Sequence, residues 1–378
     1  MSPGEHALLK VPSPSKAPLL SIIVPTFKER DNVTELISRL ENSLRGTHWE
    51  IIFVDDDSPD QTAALVRSIG RDDSRIRCIQ RIGRRGLSSA CIEGLLASSA
   101  NYLAVMDGDL QHDEALLPDM LKLLTTSNAD VVIGTRYADG GGLGEWDQSR
   151  AVASRLATRL SRVILKANLS DPMSGFFMLR REAFDGAVRH LSGIGFKILL
   201  DLFASSPTPL KFKELPYQFR TRKAGESKLD SQVAWEYGML LLDKLVGHIV
   251  PVRFIAFTLV GMSGLLVHLV VLALLFRQAE VGFVASQSAA TIVAMSTNFA
   301  LNNILTYRDR RLKGWKWLWG WCSFCLVCSV GALANIGIAA YLFSVDTIWI
   351  IAAVAGILVG AVWNYAVTMV YTWEKTEA

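Results

Sequence analysis

Charge all but disappears from the last third of this sequence. Between residues 252 and 373 it is confined to the ends of four apolar runs, 252–276, 283–307, 317–343 and 347–373. Each is long enough for a membrane helix of about 20 residues, and four in succession argue against buried helices of a soluble core. Cysteine is scarce as well. There are five in 378 residues, an odd number that gives no disulfide framework in a cytoplasmic and membrane setting. Cys322, Cys325 and Cys328 share one face of the third run and read as small packing residues rather than a metal trio. A net charge of +3, from 39 basic and 36 acidic residues, is too small to argue for nucleic acid. No basic run with interleaved aromatics points there either. The opening residues lack the apolar stretch of a secretory signal; 1–18 are polar and Pro-rich and predict a disordered leader.

What is present before residue 230 is alternation. Leu20–Pro25, Glu50–Val54, Arg75–Gln80, Asn101–Met106 and Asp130–Gly134 are short apolar runs that predict strands. Asn32–Leu44, Pro59–Ile69, Leu87–Ser98 and Glu114–Leu124 predict helices, the second capped by Ser58 with Pro59 in its first position. Such alternation implies a mainly parallel α/β sheet, with ligands beyond the C-terminal ends of the strands. Residues 150–167 place Val152, Leu156, Leu160 and Ile164 near one helical face, bordered by Arg150, Arg155, Arg159, Arg162 and Lys166. That is the pattern of a helix lying on an anionic membrane surface. A second amphipathic stretch, 231–250, leads into the first apolar run.

The links between the runs carry an orientation signal. Arg308, Arg310, Arg311, Lys313 and Lys316 crowd the link between the second and third runs, whereas the links near Arg277 and Asp346 hold little positive charge. The positive-inside rule then places both termini and the N-terminal domain in the cytoplasm. The apolar part also repeats itself. Asn298-Phe299-Ala300-Leu301 with Thr306-Tyr307 echoes Asn364-Tyr365-Ala366-Val367 with Thr372-Trp373, and Gly264–Leu275 echoes Gly331–Leu342. Two tandem helix hairpins explain the echo. The polar residues His268, Asn298, Asn302, Asn303, Asn335 and Asn364 are costly in lipid and should face the bundle interior.

The chemistry concentrates where the fourth strand ends. Asp107, Asp109 and Gln111 stand at alternate positions, which on an extended backbone point to one side. Three oxygen donors so placed suit a hard divalent cation, Mg2+ or Mn2+, that also binds substrate phosphates. Two earlier strand ends carry Pro25-Thr26-Phe27-Lys28-Glu29 and Asp55-Asp56-Asp57-Ser58, acceptors suited to a nucleobase or ribose. Arg81 to Leu87 adds a cationic, Gly-containing turn suited to phosphate oxygens.

In combination these segments resemble the dolichol- and polyprenyl-phosphate mannose synthases, inverting family-two glycosyltransferases of GT-A fold. The resemblance covers about residues 19–245 and rests on Pro25-Thr26 with Glu29, Asp55-Asp56 with Ser58, and Gly86-Leu87. It rests equally on Asp107 to His112, Gly134 to Tyr137, Asp171 to Phe177, and Arg222 with Gly225, Ser227 and Lys228. Residues 252–373 resemble the GtrA-like four-helix domain fused to some members. Lys28 departs from the Asn that the family usually has before the Glu.

The resemblance implies a Rossmann-like α/β GT-A catalytic domain over 19–230 and a GtrA-like domain of four transmembrane helices over 251–378. It implies transfer of mannose from GDP-mannose to a polyprenyl or dolichyl monophosphate, with inversion to a β-linked product. Asp107, Asp109 and Gln111 would hold Mg2+ or Mn2+. Pro25, Thr26, Phe27, Glu29, Asp56, Arg84 and Asp107 would receive the donor nucleotide. Arg136, Arg150, Ser154 and Arg222 would gather the acceptor phosphate with Lys228 nearby, and Asp109, Gln111 and Arg136 would be catalytic. Two alternatives stay open: glucose transfer from UDP-glucose, and a lipid-linked sugar translocase with an attached transferase domain. A processive polysaccharide synthase would need a Gln-x-x-Arg-Trp signature, which is absent. The lipid bilayer is the other expected partner, nucleic acid is not, and a homo-oligomer is compatible with the sequence.

Overall fold

The computed structural model describes residues 17–137, 167–193, 195, 197–218, 220, 231–247, 250–345 and 348–374. The chain divides into two compact units, up to residue 227 and from 228 onward. The first unit is organised by seven strands: β1 (Leu20–Thr26), β2 (Trp49–Asp55), β3 (Ile76–Gln80), β4 (Tyr102–Val105), β5 (Val131–Thr135), β6 (Phe177–Arg180) and β7 (Phe212–Pro216). They form one sheet in the order β3-β2-β1-β4-β6-β5-β7. All neighbouring pairs are parallel except those of β6, which runs antiparallel to both β4 and β5. Every residue of β2 and β5 is buried, as expected of strands covered on both faces, which read as apolar runs rather than alternation.

Among the described residues, six α-helices accompany the sheet: α1 (Arg30–Ser43), α2 (Thr62–Asp72), α3 (Leu87–Ala97), α4 (Leu117–Thr126), α5 (Arg181–Ala187) and α6 (Ile198–Ser205). In α1, Val33, Leu36, Ile37 and Leu40 fall on one stripe and enter the core with Leu20, Ile22 and Val24 of β1. Two local expectations are overturned. α2 starts beyond Pro59, and Ser58 does not cap it: its hydroxyl donates to Asp55 Oδ1 (2.6 Å) and accepts from the Lys28 N–H (3.0 Å). Asp60 takes the Thr62 N–H instead (3.1 Å). The Asp107–Gln111 segment is a turn, not a continuing strand. β4 stops at Val105 and Leu110 sits at φ 63°, a conformation that puts its side chain into the core.

The second unit is helical: α7 (Ser231–Val246), α8 (Val252–Ala273), α9 (Phe283–Leu301), α10 (Trp315–Ser344) and α11 (Trp349–Val367). Among the described residues three stretches are long and apolar enough to cross a membrane: Val252–Gln278, Trp315–Leu342 and Val354–Thr372. The protein is therefore a multi-pass membrane protein, with three such spans where four were expected. The second expected span does form α9, but Ser286, Gln287, Ser288, Thr291, Ser296, Thr297 and Asn298 dilute its apolar character. The residues of the expected leader up to 16, and of the expected surface helix up to 166, lie outside the described residues.

The internal echo has structural counterparts. Residues Asn302–Thr306 and Thr368–Thr372 are matching π-helical turns. The equivalent residues that follow them, Tyr307 and Trp373, are buried and stack on each other at 4.2 Å with planes 8° apart. A side chain at Gly264 would collide with the Asn298 amide, and one at Gly331 with the equivalent Asn364 amide. Asn302 and Asn303 are buried, whereas His268, Asn298, Asn335 and Asn364 are half-buried.

Candidate active site

Parallel pairing puts the C-terminal ends of β1, β2, β3 and β4 on one edge of the sheet, so residues 26–29, 55–58, 81–86 and 106–111 share that edge. The end of β5 lies between the start of the antiparallel β6 and the end of β7, which adds residues 135–137, 171–176, 217, 218 and 220. The side chains there separate into two groups.

The β1–β2–β3 side is tied together internally. Asp55 is fully buried and accepts from the Thr26 hydroxyl (3.2 Å), the Ser58 N–H (2.9 Å) and the Ser58 hydroxyl (2.6 Å). Asp56 accepts from Arg81 Nη1 (2.8 Å) and the Gly86 N–H (2.7 Å), and burial pushes its carboxyl above the usual range. Gly86 adopts φ 143°, a backbone that only glycine takes readily. Arg81, which opens the turn read as suited to phosphate oxygens, is buried, bonded to Asp56, the Gly86 carbonyl (2.9 Å) and Ser89 (2.7 Å). Arg84 pairs with Glu93 at 2.8 Å and 3.2 Å. Phe27 lies under the Arg85 guanidinium (4.3 Å to the ring centre), and Glu29 accepts from Asn32 (2.6 Å). Pro25 is half-buried beside Thr26 at the end of β1.

The β4–β6–β5 side holds the carboxylates. The Asp107 N–H donates to His112 Nδ1 (3.1 Å), and the carboxylate lies 3.6 Å from Nε2 of the same ring. His112 is buried against Phe176 (5.1 Å, stacked) and Tyr217 (5.9 Å, edge-on). Burial lowers its pKa, with Asp107 and Asp109 opposing, so the imidazole is neutral near pH 7. Asp109 is buried and its Oδ1 accepts from the Gln111 N–H (3.2 Å). The Gln111 side chain donates to the Arg220 carbonyl (3.0 Å), and the Arg220 N–H donates to the Gln111 carbonyl (3.1 Å). Arg220 also bridges Glu114 and Asp113, each at 2.7 Å. The turn is thereby clamped by the chain just beyond β7.

Against it lies the loop from Asp171 to Phe176. A Cβ on Gly175 would come within 3.1 Å of the Asp107 carboxylate, so any larger residue crowds that group. Arg136, at the end of β5, donates twice to the buried Asp171, from Nε (2.8 Å) and Nη2 (3.1 Å), a planar geometry that fixes the guanidinium. Lys197, immediately before α6, donates to the Met173 carbonyl (3.3 Å). Burial and then Arg136 push its ammonium down to about 8, while Asp171 and Asp107 pull it back up.

Asp107, Asp109, Gln111 and Arg136 are thus brought to one end of the sheet. Arg150, Ser154, Arg222 and Lys228 lie outside the described residues. Lys197, Asp201 and Arg220 were not anticipated; the first two are isolated polar residues in apolar stretches, and Arg220 stands just outside the segment that begins at Arg222. Asp201 is buried and accepts from the Ser192 N–H (2.9 Å) and hydroxyl (2.8 Å), which fixes the loop before α6.

The donor set fits a hard cation. Among the described residues no three His, Cys, Asp or Glu side chains are grouped as a metal site. Two carboxylates and an amide within one five-residue turn match a metal that takes its remaining oxygens from phosphates and water.

Residues 21–186 match Glycosyl transferase family 2, and residues 256–373 match the GtrA/DPMS transmembrane domain. The chain is 34% identical over 361 residues to the dolichol-phosphate mannosyltransferase of Pyrococcus furiosus, covering 94% of this chain and 99% of that protein. The Saccharomyces cerevisiae dolichol-phosphate mannosyltransferase is 36% identical over 226 residues, 57% of this chain and 83% of that one. Among solved structures, glucosyl-3-phosphoglycerate synthase from Mycobacterium tuberculosis with Mn2+, UDP and glucosyl-3-phosphoglycerate aligns with a TM-score of 0.44 at 16% identity. It covers 61% of this chain and 79% of that chain. With a near-full-length relative and matches to both halves, the chain belongs to the family 2 glycosyltransferases of GT-A fold, of the dolichol- and polyprenyl-phosphate sugar transferase kind, fused to a GtrA-like transmembrane domain.

Proposed function

We propose that the protein transfers mannose from GDP-mannose to a polyprenyl or dolichyl monophosphate, giving the β-linked lipid phosphomannose and GDP. The observation that carries this reading is the clamped turn bearing Asp107, Asp109 and Gln111 beside the Arg136–Asp171 pair. The likeness to the dolichol-phosphate mannosyltransferase of Pyrococcus furiosus supports it across almost the whole chain.

The reaction explains why the motifs include no general base for the acceptor. An alcohol must lose a proton before attack, but a lipid monophosphate is already largely anionic, with a second pKa of about 6 as for phosphoserine. One of its oxygens attacks the anomeric carbon on the face opposite the diphosphate. A carbon–oxygen bond forms as the bond to GDP breaks, the electron pair leaves with GDP, and the configuration inverts. Asp107, Asp109 and Gln111 would hold Mg2+ or Mn2+, which when bound offsets charge on the donor diphosphate. Pro25, Thr26, Phe27, Glu29, Asp56 and Arg84 would receive the nucleotide. Arg136, oriented by Asp171, would meet the acceptor phosphate with Arg150, Ser154, Arg222 and Lys228. One preorganised donor aimed at developing charge contributes ~3 kcal/mol. The catalytic domain would span 19–230, with both termini and that domain in the cytoplasm, α9 serving as a fourth span and the helical domain as its anchor.

Incubation of the full-length protein with labelled GDP-mannose, polyprenyl phosphate and Mn2+ should move label into the lipid phase. No transfer from any nucleotide sugar would sink the reading, whereas transfer from UDP-glucose alone would correct the donor. Asp109→Ala and Gln111→Ala are expected to abolish transfer, and wild-type rates in Asp109→Ala would remove the metal assignment.

A further inference from the structure

The link between α9 and α10 contains a cavity of about 330 Å3, of the size that takes small ligands. Ala300 and Ile304 form an apolar side; Arg311, Lys313 and Gly314 form a cationic one; Trp317 closes it from α10. Among the described residues neither Arg311 nor Lys313 has a carboxylate within ion-pairing distance. Arg310, by contrast, is committed to the Trp373 carbonyl (3.1 Å).

The link is held rigidly. Asn303, buried at 2% exposure, donates to the Leu312 carbonyl (3.1 Å) and accepts from the Leu312 N–H (2.8 Å) and the Trp373 indole (3.2 Å). Leu312 stands between the two cations, so its clamp sets where both leave the backbone. The first N–H groups of the 30-residue helix α10 open beside Gly314 at the same mouth, and such groups favour an anion. Trp315, Trp317 and Trp319 are exposed around it, as aromatic side chains are at a membrane–water boundary.

We propose that this cavity binds the phosphate of an anionic lipid, one molecule per chain, with the head group on Arg311 and Lys313 and the first acyl carbons along Ala300, Ile304 and Trp317. Two unpaired cations, a fixed backbone and an apolar wall meet in one place, which is the chemistry of a phosphate carrying a hydrocarbon chain. The site lies within the helical unit and does not depend on the transfer reaction. Scattered surface charge would attract anionic lipid without stoichiometry; a built pocket saturates at one.

The test is native mass spectrometry of the full-length protein released from mixed phosphatidylglycerol and phosphatidylcholine micelles. Wild type should retain one phosphatidylglycerol in preference to phosphatidylcholine by about 30-fold, the preference expected of two basic side chains. Arg311→Gln with Lys313→Gln should remove that preference, while Lys316→Gln, in the first turn of α10 but not lining the cavity, should keep it. Polyprenyl phosphate competing with phosphatidylglycerol would identify a phosphomonoester lipid as an occupant. Displacement by millimolar inorganic phosphate would show that the phosphate alone is recognised. An unchanged preference in the double variant, or an equal loss in Lys316→Gln, overturns the proposal. A monodisperse elution profile for each variant separates loss of binding from loss of folding.

Discussion

Lys197 is the side chain whose ionisation the fold alters most usefully: burial first and Arg136 second push its ammonium down to about 8, against the opposing pull of Asp171 and Asp107. A cation held there at such electrostatic cost is suited to an anionic substrate. Lys197→Met keeps the length of the side chain and relieves the desolvated charge. It should therefore lower transfer by about 100-fold, the cost of one preorganised donor, with little change in the thermal midpoint; parallel rate and melting measurements check this, and a wild-type rate would make the residue a loop anchor on Met173. Single residues like this one had no signature in the sequence. Asp107, Asp109 and Gln111 did, because three oxygen donors recur within five positions, although the extended backbone assumed for them was wrong. The strand ends at Val105, and Leu110 in the following turn takes φ 63° with its side chain in the core. Arg81 misled for a related reason: its basic turn reads as a phosphate site, yet its partners Asp56 and Ser89 come from other segments.

At the level of elements, apolar runs found five strands and four helices of the first unit to within a few residues. β6 and β7 escaped because Phe177–Arg180 and Phe212–Pro216 are short and partly polar, and an antiparallel insertion leaves no trace in local pattern. The internal repeat was legible because its constraint is local: a glycine on one helix meets an asparagine on the next, once at Gly264 with Asn298 and again at Gly331 with Asn364. Close backbone approach through small residues is how helices pack where lipid offers no hydrophobic drive. Gly331→Ala should force α10 from α11 and cost about 1–3 kcal/mol, as overpacking does. Thermal unfolding of the full-length protein in detergent would show it, and adding Asn364→Ala should return part of the loss. An additive double variant would mean that the two residues do not share the space.

For the whole molecule, four spans were expected while three stretches among the described residues are long and apolar enough, and α9 explains the difference. Its length suits a membrane but its Ser and Thr content does not, so hydropathy and duplication give opposite answers. Parity decides between them. With four spans a reporter fused after residue 378 lies on the same side as one fused before residue 1; with three it lies opposite. The duplication predicts the same side, and opposite-side labelling of the two fusions would retire α9 as a span.

The bonds between Gln111 and Arg220 have a further effect. One amide nitrogen secures the strand-end segment whose chain continues, two residues later, to Arg222. On the proposed function, a ligand that engages the oxygen of that amide would also act on the segment that continues in sequence to Arg222, one of the cations proposed for the acceptor. Loading of the sugar nucleotide is therefore expected to precede productive lipid capture. Initial-rate kinetics with dead-end analogues should report a compulsory sequence in the wild type, relaxed to random order by Gln111→Glu. Random order in the unaltered enzyme would sever the tether as a timing device.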